Sequence, residues 1–297
     1  MRVAVHGSDC DGIISAALIL IKYPDAEIIF INNPREAYSI DEPLDLVVDL
    51  PKTPNCKVNI DHHESNYRRL SEEKRLTERD MVSPSAPAAA KLVAEYFDIK
   101  GGVADKLVEM AVAADTGKHT EETLKLDRVI KLLHNDDEGR VRLARILAEK
   151  GADFIDDGWF KEQYAKLKDI EKLDERLSKV VELLGDLKGE FVFVDEEGAV
   201  PHYAAKDIAH KLLAGGCDTV AVAYGDPDSP RKLKISIRVG EGSSTDARKI
   251  TEPLGGGGHA KAAGVTLETK DVLMLLRKLA ELSPSRKVTY VRLQPPE

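Results

Sequence analysis

Cysteine is scarce, at three residues in 297 (Cys10, Cys56 and Cys217). Their number is odd and no two share a metal-ligand spacing, so neither a disulfide framework nor a thiolate zinc site is expected, and the chain reads as cytoplasmic. Aromatic residues make up 5% of the chain, with one tryptophan. That is too few for a long channel in which successive bases stack. No run approaches the roughly 18 apolar residues that a membrane-spanning helix needs. The stretch Ile13 to Ile21 is the longest, and Ser15 interrupts it. The opening Met1-Arg2-Val3-Ala4-Val5 reads as a strand and not as a signal peptide. Positive charge is also in deficit: 43 basic against 52 acidic residues give a net charge of -9. Residues 190–297 balance at 15 and 15, so the acidic excess lies in residues 1–189, 28 against 37. Such a surface does not favour passive binding to a duplex. It does suit a segment that gathers carboxylates around divalent cations.

At 42% hydrophobic and 32% charged, a chain of this length has material for about two domains. In the first half, apolar runs at Val3–Val5, Glu27–Ile31, Leu44–Val48 and Lys57–Ile60 alternate with helical patterns at Ile13–Ile21, Ala86–Phe97 and Val103–Ala114. This alternation predicts a doubly wound, mostly parallel α/β sheet. The third and fourth strands lie about eight residues apart, short for a helical crossover, so a compact extended turn through Pro51 and Pro54 is expected. Residues 121–185 read as continuous helix, a connector that completes a first domain over 1–185. Gly185-Asp186-Leu187-Lys188-Gly189 is the expected hinge. A smaller α/β domain follows over 190–297, with strands at Phe191–Val194, Thr219–Tyr224, Lys232–Val239 and Val288–Arg292 and helices at His202–Leu213 and near Asp246–Ile250.

The polar residues of the first half sit at the ends of its elements. His6, Asp9 and Asp11 follow the first strand, Asp49 the third, and Asp61-His62-His63 the fourth, while Asp115 ends a helix. Ligands of open α/β sheets bind beyond the carboxyl ends of the strands. Each residue alone has a plainer reading: His6 as a hydrogen-bonded strand end, Asp9 and Asp11 as helix caps, Asp49 as a turn residue, Asp115 as a helix stop. Their convergence carries the argument, because so many carboxylates at one edge repel unless cations neutralise them. Carboxylate with imidazole and no thiolate suits Mn²⁺, with Mg²⁺ or Co²⁺ as alternatives. Six ligands fit two ions roughly 3.5–4 Å apart, the arrangement that hydrolyses phosphate esters.

In the second half, Gly255-Gly256-Gly257-Gly258-His259 removes every Cβ from one turn, so that backbone amides can approach an anion. The strand Lys232–Val239 alternates, with Lys232, Lys234, Ser236 and Arg238 on one face. An ordinary solvated face is the plainer alternative for that row.

The set His6-Gly7-Ser8-Asp9-Cys10-Asp11-Gly12, Asp49 in LVVDL, Asp61-His62-His63 and Asp115 resembles the four ordered motifs of the DHH phosphoesterase superfamily. The glycine run with Ala260-Lys261-Ala262-Ala263-Gly264 is similar to the motif of its associated C-terminal substrate domain. The resemblance implies that His6, Asp9 and Asp49 hold one metal, and that Asp11, Asp49, His62 and Asp115 hold a second, with Asp49 bridging. It also implies that His63 faces the scissile phosphate and that Asp61 orients its neighbours. The spacing between the first His and the Asp pair varies among members, so which ion takes Asp9 and which Asp11 is open. On the substrate side it implies Arg238, Ser236, Gly256, Gly257, Gly258 and His259. The activity so implied is two-metal hydrolysis of very short single-stranded RNA or DNA, as in nanoRNases, and of nucleotides such as 3′-phosphoadenosine-5′-phosphate. A RecJ-like single-strand exonuclease, a cyclic-dinucleotide phosphodiesterase and a non-enzymatic replication scaffold are the alternatives. No membrane is expected as a partner, and a homodimer is compatible with the sequence.

Overall fold

The computed structural model describes residues 1–167, 175, 178–179, 181–182, 187–196, 198–199, 205–226 and 229–294. The chain divides into two compact units, Met1–Lys168 and Asp169–Glu297.

The first unit is built on a five-stranded sheet: β1 (Arg2–His6), β2 (Glu27–Ile31), β3 (Leu44–Val48), β4 (Cys56–Asp61) and the two-residue β5 (Met81–Val82). Its order is β2-β1-β3-β4-β5, and every pairing is parallel. A parallel sheet is covered on both faces, and the continuous Val and Ile runs agree with that. Ala4, Ile31, Leu44 and Val47 pack with Ala37 and Leu50 on one side. Helix α1 (Cys10–Lys22) is buried along nearly its whole length and packs on β1. A helix apolar all round belongs inside a fold. Asp9 caps it, accepting a hydrogen bond from Gly12 N at 3.1 Å. The helices α2 (Glu64–Glu72), α3 (Ala89–Tyr96) and α4 (Gly102–Asp115) follow.

The expected strands coincide with β1 to β4 within one residue at either end. Helix α3 begins three residues later than expected, after Pro87. The parallel β3–β4 link is the compact turn expected, residues 49–55. Seven residues at up to about 3.5 Å each span the sheet without a helix.

The expected continuous helix over 121–185 is corrected. Its described part breaks into α5 (Glu121–Leu132), α6 (Asp137–Lys150), a 3₁₀ turn and α7 (Gly158–Ala165). Asp136 and Asp157 cap new helices, accepting from Gly139 N and from Trp159 N and Phe160 N, while Gly151 turns the chain at φ 55°. Capping carboxylates read as ordinary charge in a Lys/Glu-rich pattern, so the sequence hides these breaks. Residues 168–174 of that stretch, and the first two of the expected hinge, lie outside the described residues.

The second unit holds β6 (Phe191–Asp195), α8 (Ala205–Ala214), β7 (Thr219–Asp226), β8 (Ser229–Val239), α9 (Arg248–Thr251), β9 (Gly257–Gly258), β10 (Ala262–Glu268), α10 (Val272–Leu282) and β11 (Val288–Arg292). Its mixed sheet runs β11-β6-β7-β8-β10-β9. Phe191, Phe193, Ile235, Ile237 and Val265 face α9 and α10, while Val192, Val194, Val220 and Val222 face α8. The start of the expected helix at His202 lies outside the described residues.

Gly12 marks where β1 and α1 approach closest: a Cβ there would overlap the His6 carbonyl. Replacing a helical glycine by alanine ordinarily stabilises. Here Gly12→Ala is expected to destabilise by roughly 1–3 kcal/mol through overpacking, read from urea unfolding. Unchanged or increased stability would contradict the close approach.

Candidate metal centre

Strand direction places the polar motifs together. β1 delivers His6, β3 delivers Asp49 and β4 delivers Asp61, His62 and His63 to the carboxyl edge of one sheet, the place where open α/β sheets bind ligands. The start of α1 adds Asp9 and Asp11, and the last residue of α4 adds Asp115. All six expected metal ligands and both remaining expected catalytic residues, Asp61 and His63, therefore meet in the first unit.

Asp49 is the hub. Its Oδ2 lies 3.3 Å from His6 Nδ1, which is itself 3.0 Å from Asp9 Oδ2. Its Oδ1 lies 3.5 Å from His62 Nε2. That nitrogen is also 3.4 Å from Asp11 Oδ2 and 3.6 Å from Asp115 Oδ2. The two oxygens of one carboxylate thus face two different ligand sets. His6, Asp9 and Asp49 form one group able to hold a cation; Asp11, Asp49 and His62 form another. A third, Asp49, Asp61 and His63, overlaps both.

Neighbouring backbone sets the ligand orientations. His62 Nδ1 lies 3.3 Å from the Ala86 carbonyl, which presents Nε2 to the carboxylates. Asp61 Oδ1 accepts from His62 N at 2.8 Å and from His63 Nδ1 at 2.8 Å. Asp11 does not cap its own helix. It accepts from Ala89 N at 2.6 Å and Ala90 N at 2.8 Å, at the start of α3. The plain reading therefore holds for Asp9, a cap that also faces His6, and fails for Asp11.

The electrostatics show what this cluster lacks. Burial pushes Asp11 well above the usual carboxylate range, and the charges of Asp49 and Asp115 add to that. Burial likewise raises Asp115 to about 6, with help from Asp49 and Asp9. Asp49 moves the other way: burial opposes its charge, but His6 and His62 hold it well below the usual range. Burial works against charge on the imidazoles too, yet Asp49, Asp11 and Asp115 push His62 up to about 11. The charge of Asp61 brings His63 to about 9. Asp49 Oδ1 is buried and accepts no hydrogen bond from any described residue. An all-oxygen and imidazole donor set of this charge fits a pair of hard divalent cations.

Two contributors carry no sequence signal. Arg140, 2% exposed on α6, donates through Nη1 to the Gly7 carbonyl at 3.1 Å and to Asn32 Oδ1, and through Nη2 to Asp137. Its guanidinium lies 4.9 Å from the Phe30 ring centroid. It holds the loop between His6 and Asp9 from behind, and a Cβ at Gly7 would overlap it. Asn66, 3% exposed on α2, donates to Asp61 Oδ2 at 2.7 Å. Nothing separates these two from other polar residues on amphipathic helices.

The expected substrate residues also come together, in the second unit. Arg238 pairs with Ala262 and Ser236 with Gly264 across β8 and β10, and Gly257 pairs with Gly264 across β10 and β9. His259 N donates to the Ala262 carbonyl at 2.7 Å, closing the turn between β9 and β10. Two of the glycines have a packing reason. A Cβ at Gly256 would overlap Gly264 O, and one at Gly258, where φ is 134°, would lie 2.6 Å from Ala262 O. Gly257 faces open space. In the basic row, Lys234 is paired with Asp226 at 3.4 Å.

By sequence, residues 191–282 match the DHHA1 domain family. The chain is similar in structure to the pGpG-specific phosphodiesterase PggH from Vibrio cholerae, at 18% identity and a TM-score of 0.64 over 96% of this chain and 99% of that one. It is also similar to RecJ from Thermus thermophilus, solved with Mn²⁺ and with Mg²⁺, at 16% and 17% identity and a TM-score of 0.52 for both. The chain shares the fold of these proteins, and its residues 191–282 carry the DHHA1 match. The likeness to RecJ spans 98% of this chain but about half of the RecJ chains, 54% and 51%. Among curated proteins none matches by sequence. No helix among the described residues is long and apolar enough to cross a membrane.

Loading divalent cations must displace protons from this cluster, because a ligand imidazole has to be neutral and a ligand carboxylate ionised. The apparent Mn²⁺ affinity is therefore expected to rise with pH between 6 and 8, by about tenfold per unit for each proton released. Calorimetric titration in buffers of different ionisation enthalpy reads this directly. Equal heats in all buffers would contradict it.

Proposed function

We propose that this protein is a two-metal phosphoesterase that hydrolyses the phosphodiester bonds of very short oligonucleotides, with nanoRNase-like action and 3′-phosphoadenosine-5′-phosphate as a further substrate. It stands with the metal-dependent hydrolases of the DHH superfamily. One observation carries the reading: the two oxygens of Asp49 face two separate sets of Asp and His ligands. His6, Asp9 and Asp49 would hold one cation, and Asp11, Asp49, His62 and Asp115 would hold the other. Bound divalent cations lower the pKa of the attacking water and neutralise charge on the phosphoryl oxygens. Mn²⁺ is the first choice on the donor set, and Mg²⁺ is the alternative; RecJ is solved with each of them.

The chain's own groups do the rest. Asp61 fixes the His63 ring through Nδ1 and its charge favours the protonated imidazole, so that His63 would donate to a phosphate oxygen as negative charge develops on it. In the second unit, Arg238 would grip a substrate phosphate with two of its N–H groups. Ser236, the close backbone approach at Gly256, Gly257 and Gly258, and the His259 side chain would add further contacts along the glycine-rich edge of the second unit. The likeness to the pGpG-specific phosphodiesterase PggH supports a short substrate. A scaffold with decayed motifs does not fit a chain in which every ligand position is filled.

A digestion series of end-labelled RNA and DNA from two to twenty-four nucleotides, with Mn²⁺ and including pGpG, tests the substrate class. Rapid turnover of di- to tetranucleotides with sharp loss beyond them is expected. Processive digestion of the longest strands would favour the RecJ-like exonuclease. Asp49→Ala is expected to lower turnover by at least a thousandfold; near-wild-type turnover would remove the bridging role.

A further inference from the structure

Beneath the metal edge lies a pair of buried side-chain amides whose every donor is committed. Asn59, fully buried on β4, sends both Nδ2 protons to carbonyls, Val47 O at 3.1 Å and Leu50 O at 3.1 Å. Those carbonyls flank Asp49. Asp49 itself has φ 55°, a left-handed conformation that is costly for a residue with a Cβ and persists only where its surroundings enforce it. Its amide is tied to Ile60 O at 3.0 Å. Asn59 thus clamps the backbone on both sides of the residue that turns the hub carboxylate into the cluster.

The other end of the pair reaches the histidine. Asn66 Nδ2 donates to Asn59 Oδ1 at 2.9 Å and to Asp61 Oδ2 at 2.7 Å. Its Oδ1 accepts from Arg69 Nη2 at 3.1 Å and Lys52 N at 3.4 Å. The opposite oxygen of Asp61 holds His63 Nδ1. Amide orientations follow from the partners: Asn59 faces two carbonyls, so its oxygen must turn to Asn66, which must then present its nitrogen. No alternative arrangement satisfies the network, and a fully satisfied buried network specifies one geometry.

We propose that Asn59 and Asn66 are positioning residues that hold the bridging carboxylate of Asp49 and the imidazole of His63 in one fixed register. Neither touches a metal or substrate position; each acts through its neighbour. The kinetic part of this assignment rests on the phosphoesterase reading, the spectroscopic part does not.

Asn66 lies in the first turn of α2, where alanine and leucine are good helix formers, so Asn66→Ala and Asn66→Leu keep the helix. Both variants are expected to bind two Mn²⁺ per chain and to lose tenfold to a hundredfold in kcat on a short oligonucleotide or a generic bis-ester, with KM within twofold of wild type. In the metal-free protein, the downfield proton resonance of the His63 Nδ1–H···Asp61 bond is expected to broaden or vanish. Leucine fills the space that alanine leaves, so a packing role would make Asn66→Leu active where Asn66→Ala is not. That result, or kcat within twofold of wild type in both variants, would overturn the proposal. Asn59→Ala is expected to weaken the second Mn²⁺ at least tenfold and to abolish the spin-coupled Mn²⁺-pair signal in electron paramagnetic resonance. An intact pair signal in that variant would overturn the Asp49 arm. If wild-type protein shows the pair signal but hydrolyses no ester, the phosphoesterase reading fails, and the resonance and pair signals still decide the positioning roles.

Discussion

The architecture of the first unit turns on mutual repulsion among carboxylates drawn out of water. Asp11, Asp49 and Asp115 all stand within 3.6 Å of one imidazole nitrogen, and Asp9 stands 3.0 Å from another. Such a cluster is tolerable only with positive charge at its centre. The opposed shifts of its members show how the strain divides: Asp49 stays ionised at the expense of Asp11 and Asp115, which are pushed toward protonation. A group held ionised between two others that are pushed toward protonation is suited to bridge a pair of cations.

Much of the surrounding fold can be understood as what holds that arrangement. The parallel sheet brings three strand ends to one edge. The seven-residue β3–β4 link replaces a helical crossover and leaves Asp49 in a left-handed conformation, secured by Asn59. Asp11 binds the start of α3, and His62 faces the Ala86 carbonyl just before it, so α3 is docked by the same side chains that face the centre. Arg140 fixes the first motif loop from the opposite side. Residues of four of the five segments are thus braced by neighbours that never reach the cluster's centre.

The sequence made the cluster legible because its members sit directly at the ends of apolar runs, where a parallel sheet sends them to one edge. The strand carrying Ser236 and Arg238 was legible through alternation in Lys232–Val239. In the glycine run, Gly256 and Gly258 are demanded by close strand pairing, a cause that composition alone does not separate from anion binding. The breaks in the helical region were hidden because Asp136 and Asp157 look like surface charge until their side chains are seen to cap. Arg140, Asn59 and Asn66 were hidden for a related reason. Their partners around the cluster lie five to 133 positions away and on other elements, and no local pattern announces such pairings.

The central claim is that one carboxylate serves two cations. Crystals soaked in Mn²⁺ and measured for anomalous scattering at the manganese edge test it most directly. The account predicts two peaks roughly 3.5–4 Å apart, one beside His6 and Asp9, the other beside His62 and Asp115, with an Asp49 oxygen on each. A single peak, or two peaks that share no Asp49 contact, would contradict it.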